Sequence, residues 1–152
     1  MIVSRKPIEI MVKKLHEDSH IPSFGSDRSA GADLYAYLDN KSVVIPPHST
    51  VKIGSGVSFA LPMGFTGFIF ARSGLATNDS LRPANCVGVC DNDYRGEYIV
   101  PLHNDSDEER IVMHGDRIGQ VIFLPVPPVV FVETDDLDDT ERGAGGFGST
   151  GK

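Results

Sequence analysis

The sequence predicts an all-β protein: a sandwich or barrel of short strands, with at most one short helix and a flexible C-terminal arm. Three observations carry that prediction. Sixteen Gly and ten Pro punctuate the 152 residues. No stretch free of both exceeds 14 residues, which leaves little room for long helices. The apolar runs between them are short and bounded by turn residues, the pattern of sandwiches and barrels.

The elements follow in chain order. Ile8, Ile10 and Val12 fit a strand, while Ile8, Met11, Val12 and Leu15 fit a helical stripe. The β-branched start favours the strand. Residues 51–61 alternate: Val51, Ile53, Val57, Phe59 and Leu61 share one parity, so a single strand with one buried face is expected. Residues 65–70, 98–102, 120–124 and 129–132 are apolar runs that fit buried strands. Ser73 offers an N-cap to a short helix. Pro125, Pro127 and Pro128 bar a central strand and redirect the chain. Residues 133–141 carry six of the 21 acids, and residues 142–151 are half glycine. One core over residues 1–132 is expected, followed by an acidic linker and glycine-rich arm over 133–152.

Fourteen Lys and Arg against 21 Asp and Glu give a net charge of −7. That balance disfavours a general nucleic-acid coat. No apolar window is long enough for a membrane span, and the N-terminus lacks the apolar stretch of a signal peptide. A soluble cytoplasmic protein is expected. Cys86 and Cys90 are too few for a disulfide scaffold and lie in an apolar stretch, so both read as small core residues.

Four segments could carry chemistry. Ala71-Arg72-Ser73-Gly74-Leu75-Ala76 sets a guanidinium, a hydroxyl and backbone N–H groups together, a combination that suits anionic oxygens. Residues 88–97 read as a β-hairpin with Asp91, Asp93 and Tyr94 crowded at its tip. A carboxylate there suits a general base, and the ring a platform for a sugar or base. Gly115-Asp116 makes a turn before a strand opened by Gln120, an amide that needs a partner when buried. The C-terminal glycines match phosphate-loop patterns, but the chain ends before the helix those loops require. They could still fold over a polyphosphate.

Taken in order, these segments together with Ser29-Ala30-Gly31-Ala32-Asp33-Leu34-Tyr35-Ala36 resemble the five motifs of the trimeric dUTP diphosphatase (dUTPase) family. The resemblance covers nearly everything from residue 8 to 151. It implies a β jelly roll assembled as a homotrimer, with active sites at subunit interfaces. It implies hydrolysis of dUTP to dUMP and pyrophosphate, which limits uracil incorporation into DNA and supplies dUMP for thymidylate synthesis. Mg2+ would be held through the substrate phosphates and water, with no protein ligand directly on the metal.

Carried residue by residue, the resemblance makes Asp91 the catalytic aspartate. Asp91 would orient and deprotonate the attacking water and also meet the sugar 3′-OH. Tyr94 would pack under deoxyribose. Asn85 and the backbone around Gly88 would read uracil, and Phe147 would stack on it. Arg72, Ser73, Gly74, Gln120, Arg142, Gly148, Ser149 and Thr150 would bind the phosphates. Asp33, Asp93 and Arg117 would serve as structural supports. Cys90 stands where the family often has Ile, and Gly119 where it often has Ala. Two other readings compete: a dCTP deaminase-like enzyme of the same fold, and a nucleotide-sensing trimer without turnover. The first lacks the Asp91-to-Gly96 pattern; the second has no need for a water-activating carboxylate.

Overall fold

Frequent turns divide the chain into twelve short strands and one helix among the described residues, 7–85 and 87–146 of a computed structural model. The strands are β1 Met11–Lys14, β2 Ser23–Phe24, β3 Ala32–Tyr35, β4 Ser42–Ile45, β5 Thr50–Gly54, β6 Val57–Ala60, β7 Phe65–Phe70, β8 Leu81–Pro83, β9 Gly88–Cys90, β10 Ile99–Asn104, β11 Arg110–Met113 and β12 Arg117–Pro125. Helix α1, Ser73–Asn78, sits between β7 and β8. Every pairing is antiparallel. The largest sheet runs β2-β3-β12-β7-β9, a second runs β5-β10-β8, and β1-β6 and β4-β11 form two-stranded ladders.

Period-two alternation builds the core. In β3, Ala32 and Leu34 are buried while Asp33 and Tyr35 point outward. Leu34, Ile45, Ile53, Val57, Val100 and Leu102 are fully buried and come from five different strands. The arrangement is a jelly-roll-like sandwich, as the sequence predicts. No described helix is long and apolar enough to cross a membrane.

Four local expectations are corrected. Residues 51–61 are two strands, because Gly56 adopts φ +68° and turns the chain from the β10 ladder to the β1 ladder. The alternation survives the corner, which is why the sequence reads as one strand. Residues 88–97 are not a hairpin: β9 pairs with β7, whereas β10 pairs with β5 and β8. The N-cap of α1 is Arg72, not Ser73, and it makes no side-chain cap. Residues 129–132 form no strand. Their side chains lie open, with Phe131 96% exposed. Pro125 ends the last strand, and residues 126–146 contain neither strand nor helix. The first segment is a strand, β1, as expected, although it begins only at Met11.

Candidate active site

Strand β12 organises the site from the middle of the large sheet. Directly paired residues of antiparallel strands project to the same face. The pairs Asp33↔Gln120 and Gln120↔Phe70 set Asp33 and Gln120 side by side on one face. The adjacent row, Ala32↔Val121↔Ile69↔Gly88, belongs to the opposite, core-facing side. Two half-sites grow from these two faces.

The first half-site is basic. Asp33, only 13% exposed at its side chain, accepts from Arg72 Nε at 2.9 Å and from Arg117 Nη1 at 3.3 Å. One carboxylate thus fixes two guanidinium groups and offsets part of their charge. Gln120 Nε2 donates to Ala71 O at 3.0 Å, which steadies the backbone directly ahead of Arg72. Ser73 and Gly74 follow in the exposed first turn of α1. Beside them a cavity of about 350 Å³ is lined by Arg72, Arg110 and Arg117, with Asp79 and Asp116 on its wall. Asp116 itself is spent on the turn before β12, where its Oδ2 accepts from the Met113 N–H at 2.7 Å.

The second half-site is a cavity of about 230 Å³ lined by Asn85, Gly88, Cys90, Asp91, Tyr94 and Glu97 among others. Gly88 is buried, and a Cβ there would lie 3.2 Å from Asn85 Nδ2, so the amide sits directly over that backbone. Asp91 is the first residue beyond β9 and is exposed. The Tyr94 N–H donates to Asp91 O at 3.2 Å and closes a turn that contains Asp93. The Tyr94 hydroxyl donates to Glu97 O at 3.1 Å. Its ring lies over Gly96, where any Cβ would run into it.

Tyr98 forms the floor. It is 1% exposed, and its ring packs against Phe59 at 4.5 Å between centroids. Its hydroxyl finds no oxygen or nitrogen partner among the described residues and rests by the Cys90 thiol. Burial pushes the Cys90 thiol up, and burial also raises the Tyr98 phenol. Both groups therefore stay neutral near pH 7, and Cys90 packs the cavity instead of acting as a nucleophile.

The structure brings Asn85, Gly88, Asp91 and Tyr94 together, and separately gathers Arg72, Ser73, Gly74, Gln120, Asp33 and Arg117. The two cavities share no residue. Arg142 lines neither; its Nε donates to Gly145 O at 2.9 Å within its own turn. Cys86, Phe147, Gly148, Ser149 and Thr150 lie outside the described residues. Glu97, Tyr98 and Arg110 line the two cavities without having been singled out from the sequence. Glu97 closes the 88–97 motif, and a charge directly before an apolar strand was the available signal.

With this geometry in place, the comparisons with known proteins are specific. The dUTPase family model matches residues 17–151. A deoxyuridine 5′-triphosphate nucleotidohydrolase of Desulfitobacterium hafniense is 45% identical over 147 residues, covering 95% of this chain and 97% of that protein. The protein of the same name from Syntrophotalea carbinolica is 41% identical over 146 residues, covering 96% and 99%. Among solved structures, a Staphylococcus bacteriophage 80alpha dUTPase mutant with dUpNHpp superposes with a TM-score of 0.85 at 22% identity, covering 95% of this chain and 99% of that one. That last likeness concerns the fold; the matches in sequence extend through both half-sites, and the chain belongs to the dUTPase family.

Proposed function

We infer that this chain hydrolyses dUTP to dUMP and pyrophosphate. The observation that carries the reading is the cavity in which an exposed carboxylate, Asp91, shares the wall with an aromatic ring, Tyr94, and an amide, Asn85. Asn85 and the Gly88 backbone offer donors and acceptors to the uracil edge. A base with the wrong pattern leaves those groups unpaired, which discriminates strongly. Tyr94 supports deoxyribose and leaves little room for a 2′-OH. Asp91 takes a proton from a water as the water oxygen bonds the α-phosphorus and the bond to the bridging oxygen breaks. Pyrophosphate leaves, and Asp91 returns its proton to solvent.

Arg72, with Ser73, Gly74 and Gln120, stabilises the charge on the phosphates. Arg142, Gly148, Ser149 and Thr150 complete that binding from the arm, and Phe147 covers the base. Mg2+ would be held through the substrate phosphates and water, with no side chain of the described residues directly on the metal. When bound, Mg2+ spreads the charge that develops on the phosphoryl oxygens.

Two further observations support assembly as a homotrimer. The basic and nucleoside half-sites occupy separate cavities on one chain, and a site at a subunit interface unites them. Residues 129–132 are exposed and apolar, and an apolar groove of about 380 Å³ includes Ile8, Ile10, Ile21, Phe24 and Phe65. Both surfaces gain from burial between copies.

The test incubates the protein with Mg2+ and dUTP, dCTP, dTTP or UTP in turn. Pyrophosphate and dUMP from dUTP alone are expected; ammonia from dCTP, or no turnover, overturns the reading. Asp91→Asn is expected to bind a non-hydrolysable dUTP analogue normally while kcat falls by about 10²–10⁴. Full rate in that variant removes Asp91 from its role.

A further inference from the structure

We propose that Glu97 is a positioning residue for nucleotide binding: its carboxylate locks the Tyr94 platform in place by tying the end of the 91–97 loop to the β5–β6 corner. The proposal rests on the dUTPase reading of the cavity.

The tie is visible atom by atom. Gly56, at the corner, donates its N–H to Glu97 Oε1 at 2.6 Å. Around that bond the Ser55 N–H donates to Tyr98 O at 3.0 Å, and the Tyr98 N–H donates to Val57 O at 3.0 Å. The backbone of residues 97–98 is thus clamped to residues 55–57 by three hydrogen bonds, and the central one is supplied by a side chain. The fit is close: a Cβ at Gly54 would run into the Glu97 carboxylate. The carboxylate can come this near only because position 54 is glycine.

The clamped backbone in turn holds the ring. The Tyr94 hydroxyl donates to the Glu97 carbonyl, and the ring lies over Gly96, so its edge and its face are both set by residues 96–97. Tyr94 remains 44% exposed, and its ring neighbour is Tyr98 at 6.2 Å between centroids, itself part of the clamped 97–98 segment. Asp91 is anchored differently. It follows Cys90, whose strand pairs Cys90 with Gly67 of β7. Loss of the Glu97 tie therefore loosens the sugar platform and leaves the catalytic carboxylate in place.

This separation predicts a kinetic split. For Glu97→Ala, KM for dUTP is expected to rise about tenfold with kcat within about threefold of the parent. The kcat/KM preference for dUTP over UTP is expected to shrink about tenfold, because the platform no longer excludes the 2′-OH. Glu97→Gln keeps an acceptor oxygen at the same reach and is expected to restore both quantities to within about twofold. Glu97→Asp is too short to reach Gly56 and is expected to resemble the alanine variant, which keeps the test open should Glu97→Ala fold poorly. In combination with Tyr94→Phe, the losses are expected to be less than additive, since both changes release one platform.

Unchanged KM and unchanged dUTP preference in both Glu97→Ala and Glu97→Asp overturn the proposal. So does a Gln variant as impaired as the alanine variant. Absence of dUTP turnover in the parent protein instead overturns the underlying assignment of the cavity.

Discussion

Asp33 shows how one side chain can organise a candidate site by holding two others. Outward on β3, it sits across from Gln120 and holds Arg72 and Arg117 at 2.9 and 3.3 Å. Removing it leaves Arg72, 25% exposed at its side chain, without its carboxylate partner. Asp33→Ala is expected to cost about 1–3 kcal/mol in urea denaturation. With the guanidinium no longer aimed, kcat/KM for dUTP is expected to fall by about 10-fold or more in steady-state assays. The reading of Asp33 and Arg117 as supports was available from the motif, but the shared carboxylate was not. Two arginines 45 positions apart meet only because β3 and the start of β12 are neighbours and Arg72 follows β7, the other neighbour of β12.

At the scale of elements, the corner between β5 and β6 matters most. Residues 51–61 keep one parity of apolar residues, interrupted only at Ser55, so the sequence reads through the break. A backbone turn at φ +68° costs glycine little and leaves no mark on side-chain parity. Gly56→Ala is expected to lose about 1–2 kcal/mol from the left-handed backbone alone, with a further loss because the new Cβ meets Ser19 and Tyr37. Thermal unfolding checks it, and an unchanged midpoint would remove the corner's special status. The 88–97 segment fails as a hairpin for a related reason. Turn residues between two apolar runs announce a change of direction, but they do not say which sheet receives the second run. Here the partners are β7 on one side and β5 with β8 on the other, so the turn carrying Asp91 and Tyr94 spans two sheets. That span opens the cavity beside it.

At the scale of the whole molecule, the exposed residues 129–132 are the largest departure from a self-sufficient chain. The sequence reads them as a buried strand because Val129, Val130, Phe131 and Val132 are strongly apolar. Among the described residues they are largely uncovered, and Phe131 and Val132 are 96% and 80% exposed. Burial of such side chains is worth about 1.5–3 kcal/mol each, a strong drive to associate. Phe131→Asp is expected to shift the protein toward smaller species in size-exclusion chromatography with light scattering, and dUTP turnover is expected to fall with it. An unchanged mass with full activity would separate this run from assembly. The sequence by itself determined the strand-rich class and the family, and it supplied the residues proposed to carry the chemistry, because motif spacing and punctuation by Gly and Pro are local properties. Only the tertiary structure decided which face of which sheet each group occupies. It placed Arg72 with Asp33 in one cavity, Asp91 with Tyr94 in another, and Glu97 on Gly56. Strand pairing is a non-local choice: alternation says that a residue has an inside and an outside, and the partner strand decides whose inside it is.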